Sequence, residues 1–422
     1  IQKTNETFFK GIYSVPNSTN IIIDLNLNVS RKNYYKPKLD IKKYSYDKVL
    51  YETEKLICKS LSIRLRSDVP VAFCLSGGID SSLLAAIAKK KLKKDINTFT
   101  LIDKDNRYSE KNNVDVISKY LNCQNTQVDI SKNKKNFFNN LNELNQINDS
   151  PVSVISYYIQ SILTKHISKK GYKVSINGVG ADEIFSGYYE HYLTFFHSIS
   201  KKRKQYKENV KYWKKFIKPI VRNTLLKNDL FYLKNKNDRS LIYDHSKMLK
   251  KFSTENFSIP FEEKFFTKNL MRNRMLNELF YEIVPNILRH DDINHMKYGI
   301  ENRSPFLDKS LLNYSLKIKN EYLINKGFQK VILRDIAKKY LPSSIYNDRR
   351  KVGFNAAIES LVNFKDNKTL NYMLSKNSQI FDYVDYQKFY TFLKNLPKRR
   401  IPNHYSKFLF SFLSTKNFLE QQ

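Results

Sequence analysis

Residues 69–75 read VPVAFCL and pass directly into SGGIDSS at 76–82. A short, unbroken apolar run is what a strand buried on both faces of a parallel sheet requires. The change to Ser-Gly-Gly leaves room only for a tight turn before the helical pattern of Leu83–Leu92 takes over. That turn uses a rare residue, because the chain holds 10 glycines in 422 residues, against an ordinary frequency of ~7%. Half of them fall in two segments: Gly77 and Gly78 here, and Gly178, Gly180 and Gly187 in INGVGADEIFSGY at 176–188. Glycines this scarce mark positions where no other residue fits.

Strand and helix patterns alternate around the first turn. Helical spacing over Tyr46–Arg66 precedes it, and Thr98–Ile102, Thr126–Ile130 and Tyr172–Ile176 read as further strands separated by helices at 113–121 and 154–167. This order predicts an α/β fold with an open, doubly wound parallel sheet, whose ligands bind outside the carboxyl ends of the strands. Beyond about residue 190 strand signals nearly vanish. The α/β part is therefore expected over about 46–190 and a mainly helical part over about 191–422. Residues 1–40, with the β-rich Ile21–Leu27 and the closing Tyr34, Tyr35 and Pro37, read as the last strands of another unit and a linker, and a first residue of Ile rather than Met reads as a chain cut, processed or given as a fragment.

Composition narrows the partners. An apolar fraction of 41% with 14% aromatics excludes a disordered or collagenous chain. The formal charge of +34 would attract a polyanion, but the joint excess of Lys, Asn, Ile, Tyr and Phe is also what A/T-rich coding produces, so charge names no partner and nucleic acid is not expected. No apolar run reaches the ~18–20 residues of a membrane span, so no membrane partner is expected. Cys58, Cys74 and Cys123 form no CxxC pair, which argues against structural zinc and for a reducing compartment, with the cytoplasm as the expected location. The oligomeric state is not readable, and a homodimer is compatible with the sequence.

The first glycine turn can bind an anion. Backbone N–H groups at Ser76, Gly77 and Gly78, with the N-terminus of the following helix, point at a common space, and the hydroxyls of Ser76, Ser81 and Ser82 add donors. Asp80 would repel a bare phosphate but suits a Mg²⁺ that bridges carboxylate to phosphate. No GxxxxGKS/T occurs, so this is not a Walker A loop. In the second turn Gly178 and Gly180 admit a ligand, while Asp182 and Glu183 place carboxylates at a helix start. Such acids also satisfy a helix N-terminal charge preference. A Mg²⁺–nucleotide site shared between two loops would use both turns.

SGGIDSS resembles the pyrophosphate loop of the ATP pyrophosphatase superfamily. Together with INGVGADEIFSGY, IENRSPFLD (300–308), KVILR (330–334) and RRKVGF (349–354), it resembles the synthetase domain of the class B asparagine synthetase family, over about residues 46–358. TFFKGIYSVP at 7–16, with Tyr34 and Tyr35, is similar to the stretch where that family's glutaminase domain hands over to the synthetase domain. The family's N-terminal nucleophilic cysteine has no match here.

The resemblance implies a reaction in which a carboxylate, that of aspartate in the family, attacks the α-phosphate of MgATP to give an acyl-adenylate and pyrophosphate. Ammonia from a glutaminase domain, missing from this chain, then displaces AMP. It implies ATP contacts at Leu75, Ser76, Gly77, Gly78, Asp80, Ser81, Ser82, Leu101, Asn177 and Gly178, Mg²⁺ ligands at Asp80 and Asp182, and a charge-steadying catalytic lysine at Lys330. Arg303 reads equally as an ion-pair partner of Glu301 or a substrate ligand, and Arg334, Lys351 and Gly353 as loop packing or phosphate contacts.

One departure stands at a catalytic position. Where the family commonly has Glu or Asp, tied to formation of the aspartyl-AMP intermediate, this chain has Val179. Valine accepts no proton, so that role is absent or passes to Glu183 or Glu190. Asn177 stands where the family often has Ser. These changes bear on the acceptor more than on ATP, and leave aspartate or another small carboxylate, such as a sugar acid, as the substrate. Two other classes compete. A tRNA-modifying pyrophosphate-loop enzyme would use the positive charge, but isolated cysteines, INGVGADE and IENRSPFLD count against it. A non-catalytic nucleotide-binding module is motivated by Val179.

Overall fold

The computed structural model describes residues 7, 9–241, 246–255, 261–397 and 400–421. Its centre is a five-stranded sheet of β3 (Val71–Cys74), β4 (Asn97–Ile102), β5 (Gln124–Asp129), β6 (Val174–Ile176) and β7 (Glu301–Arg303). The spatial order is β5-β4-β3-β6-β7 and every neighbouring pair is parallel. The chain leaves β3, builds outward to β5, and returns to the far side of β3 as β6. Connectivity thus reverses between β3 and β6, which opens a crevice at their carboxyl ends. Both glycine segments begin there.

Alternation along β3 divides the core. Phe73 faces a cluster built from α1 (Tyr46–Arg64), α2 (Ile79–Ala86), α3 (Lys111–Leu121), and later helices, while Ala72 faces α4 (Phe137–Asn148), α5 (Ile155–Lys169) and the C-terminal helix Asn403–Leu419, as a side-chain period of two requires. Asn145 of α4 ties the last helix down, donating to the Ser414 carbonyl at 2.9 Å and accepting from the Ser414 hydroxyl at 3.0 Å. The helix read from Leu83 begins four residues earlier, at Ile79, and runs into a π turn over Ile87–Lys91. After β6 come α6 (Ala181–Phe185), α7 (Glu190–Ile199) and α8 (Arg203–Phe216), and the named elements that follow among the described residues are helices apart from β7. That strand lies in the region read as nearly lacking strands.

The N-terminal strands stand apart. β1 (Thr19–Ile23) and β2 (Val29–Asn33) form an antiparallel hairpin that does not join the main sheet. Of the N-terminal stretch read as a domain tail, residues 1–6 and 8 lie outside the described residues. Asp24 closes the hairpin turn by accepting from the Asn26 and Asn28 backbone N–H groups at 2.9 and 2.8 Å. Ile22, Ile23 and Leu25 are 54%, 61% and 103% exposed. A lone two-stranded hairpin is marginal in water, so these side chains lack the cover that such strands ordinarily need. Among the described residues no helix is long and apolar enough to cross a membrane.

Candidate active site

The first turn is anchored by the sheet and closed by its own serines. Leu75 continues the β3 ladder, donating from its N–H to the Phe99 carbonyl at 2.9 Å, and its own carbonyl accepts the Thr100 hydroxyl at 2.7 Å. The Ser76 N–H donates to Ser81 Oγ at 3.1 Å, and the Ser82 hydroxyl donates to the Gly78 carbonyl at 2.6 Å. Ser82 is fully buried and holds the turn from beneath, whereas Ser76 is exposed. Gly77 has φ +85°, and a Cβ there would sit 3.0 Å from the Glu110 Cβ, so the backbone disfavours a side chain and the space beside it is tight. Leu101 lies on β4, half-buried against the α4/α5 cluster.

The second turn is bolted to the end of β7. The Asn177 N–H donates to the Arg303 carbonyl at 3.1 Å, its Oδ1 accepts from the Val179 N–H (3.1 Å) and Ser304 hydroxyl (2.9 Å), and its Nδ2 donates to Asp291 at 2.8 Å. Asn302 also donates to Asp291, at 3.0 Å, as does Gln160. Burial pushes the Asp291 carboxyl up to about 7, with the two asparagine donors pulling the other way. The Asn177 side chain is therefore committed to a buried polar network. Gly178 is where the two turns meet, since a Cβ there would lie 3.2 Å from both Asp80 Cβ and Ser81 N. Val179 is half-buried and brings no polar side chain.

Four charged groups converge between the turns. Lys330 Nζ lies 2.5 Å from Asp80 Oδ2 and 2.5 Å from Asp182 Oδ1, and Lys351 Nζ lies 2.6 Å from Asp182 Oδ2. Lys330 sits at the start of the helix Val331–Ala337 with a left-handed φ of +53°. Its side chain is buried, threaded past Gly187, where a Cβ would overlap both Asp182 Oδ1 and Lys330 Cε. Burial alone would push the Asp182 carboxyl up, but the Lys330 and Lys351 ammoniums outweigh it and hold it well below the usual carboxylate range. For Lys351 burial alone would pull the ammonium down, but Asp182 and Asp80 outweigh it and raise the group above the usual lysine value.

These residues fit a Mg²⁺. Asp80 Oδ1 is buried without a hydrogen-bond partner, and Asp182 Oδ1 faces Lys330 as an ion pair without hydrogen-bond alignment. Both are hard oxygen donors. No group of three or more His, Cys, Asp or Glu that could hold a metal occurs among the described residues. Two carboxylates completed by phosphate and water are the usual protein share of a Mg²⁺–nucleotide site.

The rim is formed by Ser76–Asp80, Glu110, Asn113, Gln329, Arg334 and residues 348–352. Arg334 is engaged in packing: it donates to the Gln329 and Tyr346 carbonyls at 2.8 and 2.7 Å. Arg349 stacks on Phe328 and Phe216, with its guanidinium 3.7 and 4.1 Å from the ring centroids. Arg350 pairs with Asp348 at 2.7 Å. Gly353 lies in open space, where an added Cβ would meet nothing within 4 Å. Arg303 is engaged on every side, donating to both Glu301 carboxylate oxygens (2.8 and 2.9 Å) and to the Arg64 and Arg66 carbonyls (2.7 and 2.8 Å). The ion-pair reading of Arg303 therefore holds, although Glu301 is 61% exposed at its side chain.

The two carboxylates offered as substitutes at position 179 are both engaged with other partners. Glu183 is buried and accepts the Tyr188 hydroxyl; burial and the Asp182 charge push its carboxyl up to about 7, with the Tyr188 bond opposing. Glu190 accepts from Tyr232 and faces Arg239 at 3.7 Å. The sequence alone leaves Lys351 undecided and gives Gly187 no role. No local spacing links Asp182 to a lysine so far along the chain, and the one available signal is that both lie in motifs of a single family.

The model of the asparagine synthase family matches residues 52–419. The glutamine-hydrolyzing asparagine synthetase 1 of Bacillus subtilis is 26% identical over 382 residues, covering 85% of this chain and 58% of that protein. Asparagine synthetase 3 of the same organism is 23% identical over 372 residues, covering 80% of this chain and 53% of its own length. Amidase chyE of Penicillium rubens is 26% identical over 203 residues, covering 44% of this chain and 30% of that protein. The chain thus spans a little over half the length of the two synthetases.

Proposed function

The chain belongs to the asparagine synthase family, and from that premise we propose that it forms an amide from a carboxylate at the expense of ATP cleaved to AMP and pyrophosphate. The observation that carries this reading is the Lys330 ammonium 2.5 Å from carboxylates on both glycine turns, at the crevice where the strand order reverses.

Each group has work in such a reaction. The Ser76–Gly78 turn offers the Gly77 N–H and the exposed Ser76 hydroxyl to the β- and γ-phosphates, while the Ser76 and Gly78 N–H groups are engaged within the turn on Ser81 Oγ and Ser76 Oγ. Asp80 and Asp182 would hold a Mg²⁺, which supplies charge neutralisation at the phosphates. Lys330 stands buried and fixed beside them, so a cation already faces the negative charge that grows as the bond between the α- and β-phosphates breaks. By analogy with oxyanion donors this contributes on the order of 3 kcal/mol. The acceptor carboxylate attacks the α-phosphorus, pyrophosphate leaves, and ammonia then attacks the acyl-adenylate carbonyl and releases AMP.

Aspartate is the proposed acceptor and ammonia the nitrogen donor, derived from glutamine by a glutaminase domain. The exposed apolar hairpin β1–β2 supports a covering domain on the N-terminal side, with residues 1–40 as its tail and 41–422 as the synthetase unit. A second reading, amidation of another carboxylate such as a sugar acid, is favoured by one observation: Val179 stands apolar at the turn while Glu183 and Glu190 are engaged with Tyr188 and Tyr232. ATP/pyrophosphate exchange with a panel of carboxylates, followed by amide analysis with ammonium, tests both. Exchange with aspartate supports the first; exchange with a uronic acid but not aspartate replaces it with the second; exchange with no carboxylate in the panel overturns the synthetase reading.

A further inference from the structure

Lys330 and Lys351 stand where a divalent cation would otherwise be drawn. Two carboxylates, Asp80 and Asp182, face two ammoniums at 2.5, 2.5 and 2.6 Å, so the cluster carries no net charge. We propose that the two lysines form a counter-ion lock: they prevent Asp80 and Asp182 from binding a free divalent cation, and the metal enters only together with the phosphates that draw an ammonium away. This rests on the reading of the site as one for a metal–nucleotide complex.

The two lysines are held differently, which assigns them different parts. Lys330 is buried, begins a helix in a left-handed conformation, and is confined by Gly187 and both aspartates. Its ammonium has little room to leave. Lys351 lies on a segment without regular structure and its side chain is 31% exposed. It is held by its N–H, which donates to the Tyr189 hydroxyl at 2.9 Å, and by its ammonium on Asp182 Oδ2 at 2.6 Å. Lys351 is therefore the movable half of the lock, a positioning residue that faces the same pocket as Ser76 and Gly77. Polyphosphate arriving on the turn offers it new anionic partners, and its departure frees the Asp182 oxygen for a metal. A divalent ion alone offers Lys351 nothing and must compete with a bound cation for an already neutralised pair.

Mn²⁺ binding to the full chain, followed by the loss of its free-ion paramagnetic resonance signal, tests the lock without turnover. With the Mn²⁺ that the analogue chelates in the absence of protein subtracted, the expected result is weak binding without nucleotide, at least tenfold tighter binding in the presence of α,β-methylene-ATP, and at least tenfold tighter nucleotide-free binding in Lys351→Gln than in the wild type. Lys351→Arg, which keeps the charge, should bind as the wild type does, and adding Asp182→Asn to Lys351→Gln should abolish the gain. Nucleotide-free affinity unchanged in Lys351→Gln, with Mn²⁺ still bound alongside the analogue, overturns the lock and leaves the site reading standing. No Mn²⁺ binding even with the analogue overturns that reading and the lock with it. If Lys351→Gln fails to fold by circular dichroism, Lys351→Met takes its place: nucleotide-free Mn²⁺ affinity equal to that of the wild type overturns the lock, and a tenfold gain supports it.

Discussion

Gly187 and Lys330 occupy one another's space: the lysine reaches Asp182 only because residue 187 has no side chain. Gly187→Ala is expected to displace the ammonium or the carboxylate. Overpacking of this kind costs ~1–3 kcal/mol of stability. Pyrophosphate exchange should fall by ~100-fold or more if Lys330 supplies the roughly 3 kcal/mol assigned to it. Exchange close to wild type in a folded Gly187→Ala protein would show that the Lys330–Asp182 contact is dispensable.

Lys330→Gln isolates the charge from the shape. It keeps a polar side chain of similar reach and removes the cation, so kcat for exchange should drop by ~10²-fold with a smaller change in KM for ATP, as expected for an interaction that strengthens in the transition state. An effect confined to KM would place Lys330 in ground-state binding.

Glu183 gives a pH dependence of stability with a defined sign. Its folded carboxyl titrates at about 7 against an ordinary 4.5. A group raised by folding contributes stability that is fully present below the unfolded value and is lost as pH rises through the folded one. Thermal melts should therefore show stability falling from about pH 4.5 to pH 7, and Glu183→Gln should flatten that fall while retaining an acceptor for Tyr188. Melts of the two proteins that decline in parallel would show that Glu183 titrates as an ordinary carboxyl.

The hairpin predicts behaviour in solution. Ile22, Ile23 and Leu25 form an exposed apolar edge, and such edges associate. Ile22→Lys with Leu25→Ser should reduce concentration-dependent self-association, read by light scattering, and change pyrophosphate exchange by less than about twofold, because the hairpin lies outside the crevice. Unaltered self-association would move the sticky surface elsewhere.

Local features of the fold were legible in the sequence. A buried strand, a glycine turn and a helix N-terminus follow one another within Val69–Ser82, so the first loop's place at the end of a sheet strand was legible. β7 was not, because three residues of which none is apolar, Glu301, Asn302 and Arg303, carry no period. Their strand identity comes from pairing with β6, a tertiary fact. The two roles open to Arg303 separate only with the Arg64 and Arg66 carbonyls beside it. Asn177, expected at the nucleotide, meets its buried partner Asp291 only in the folded chain, since nothing in INGVG points 114 residues ahead.

The four charges at the crevice come from positions 80, 182, 330 and 351, and this spacing matters during synthesis. A ribosome that has released the pyrophosphate turn and both carboxylates has not yet made either lysine. Domains fold as units once their long-range contacts can form, so the unfinished chain holds a pair of acids without their lysine partners. On the proposed function, competence to cleave ATP would be postponed until most of the polypeptide has emerged, and a product truncated anywhere before residue 330 is expected to show no pyrophosphate exchange.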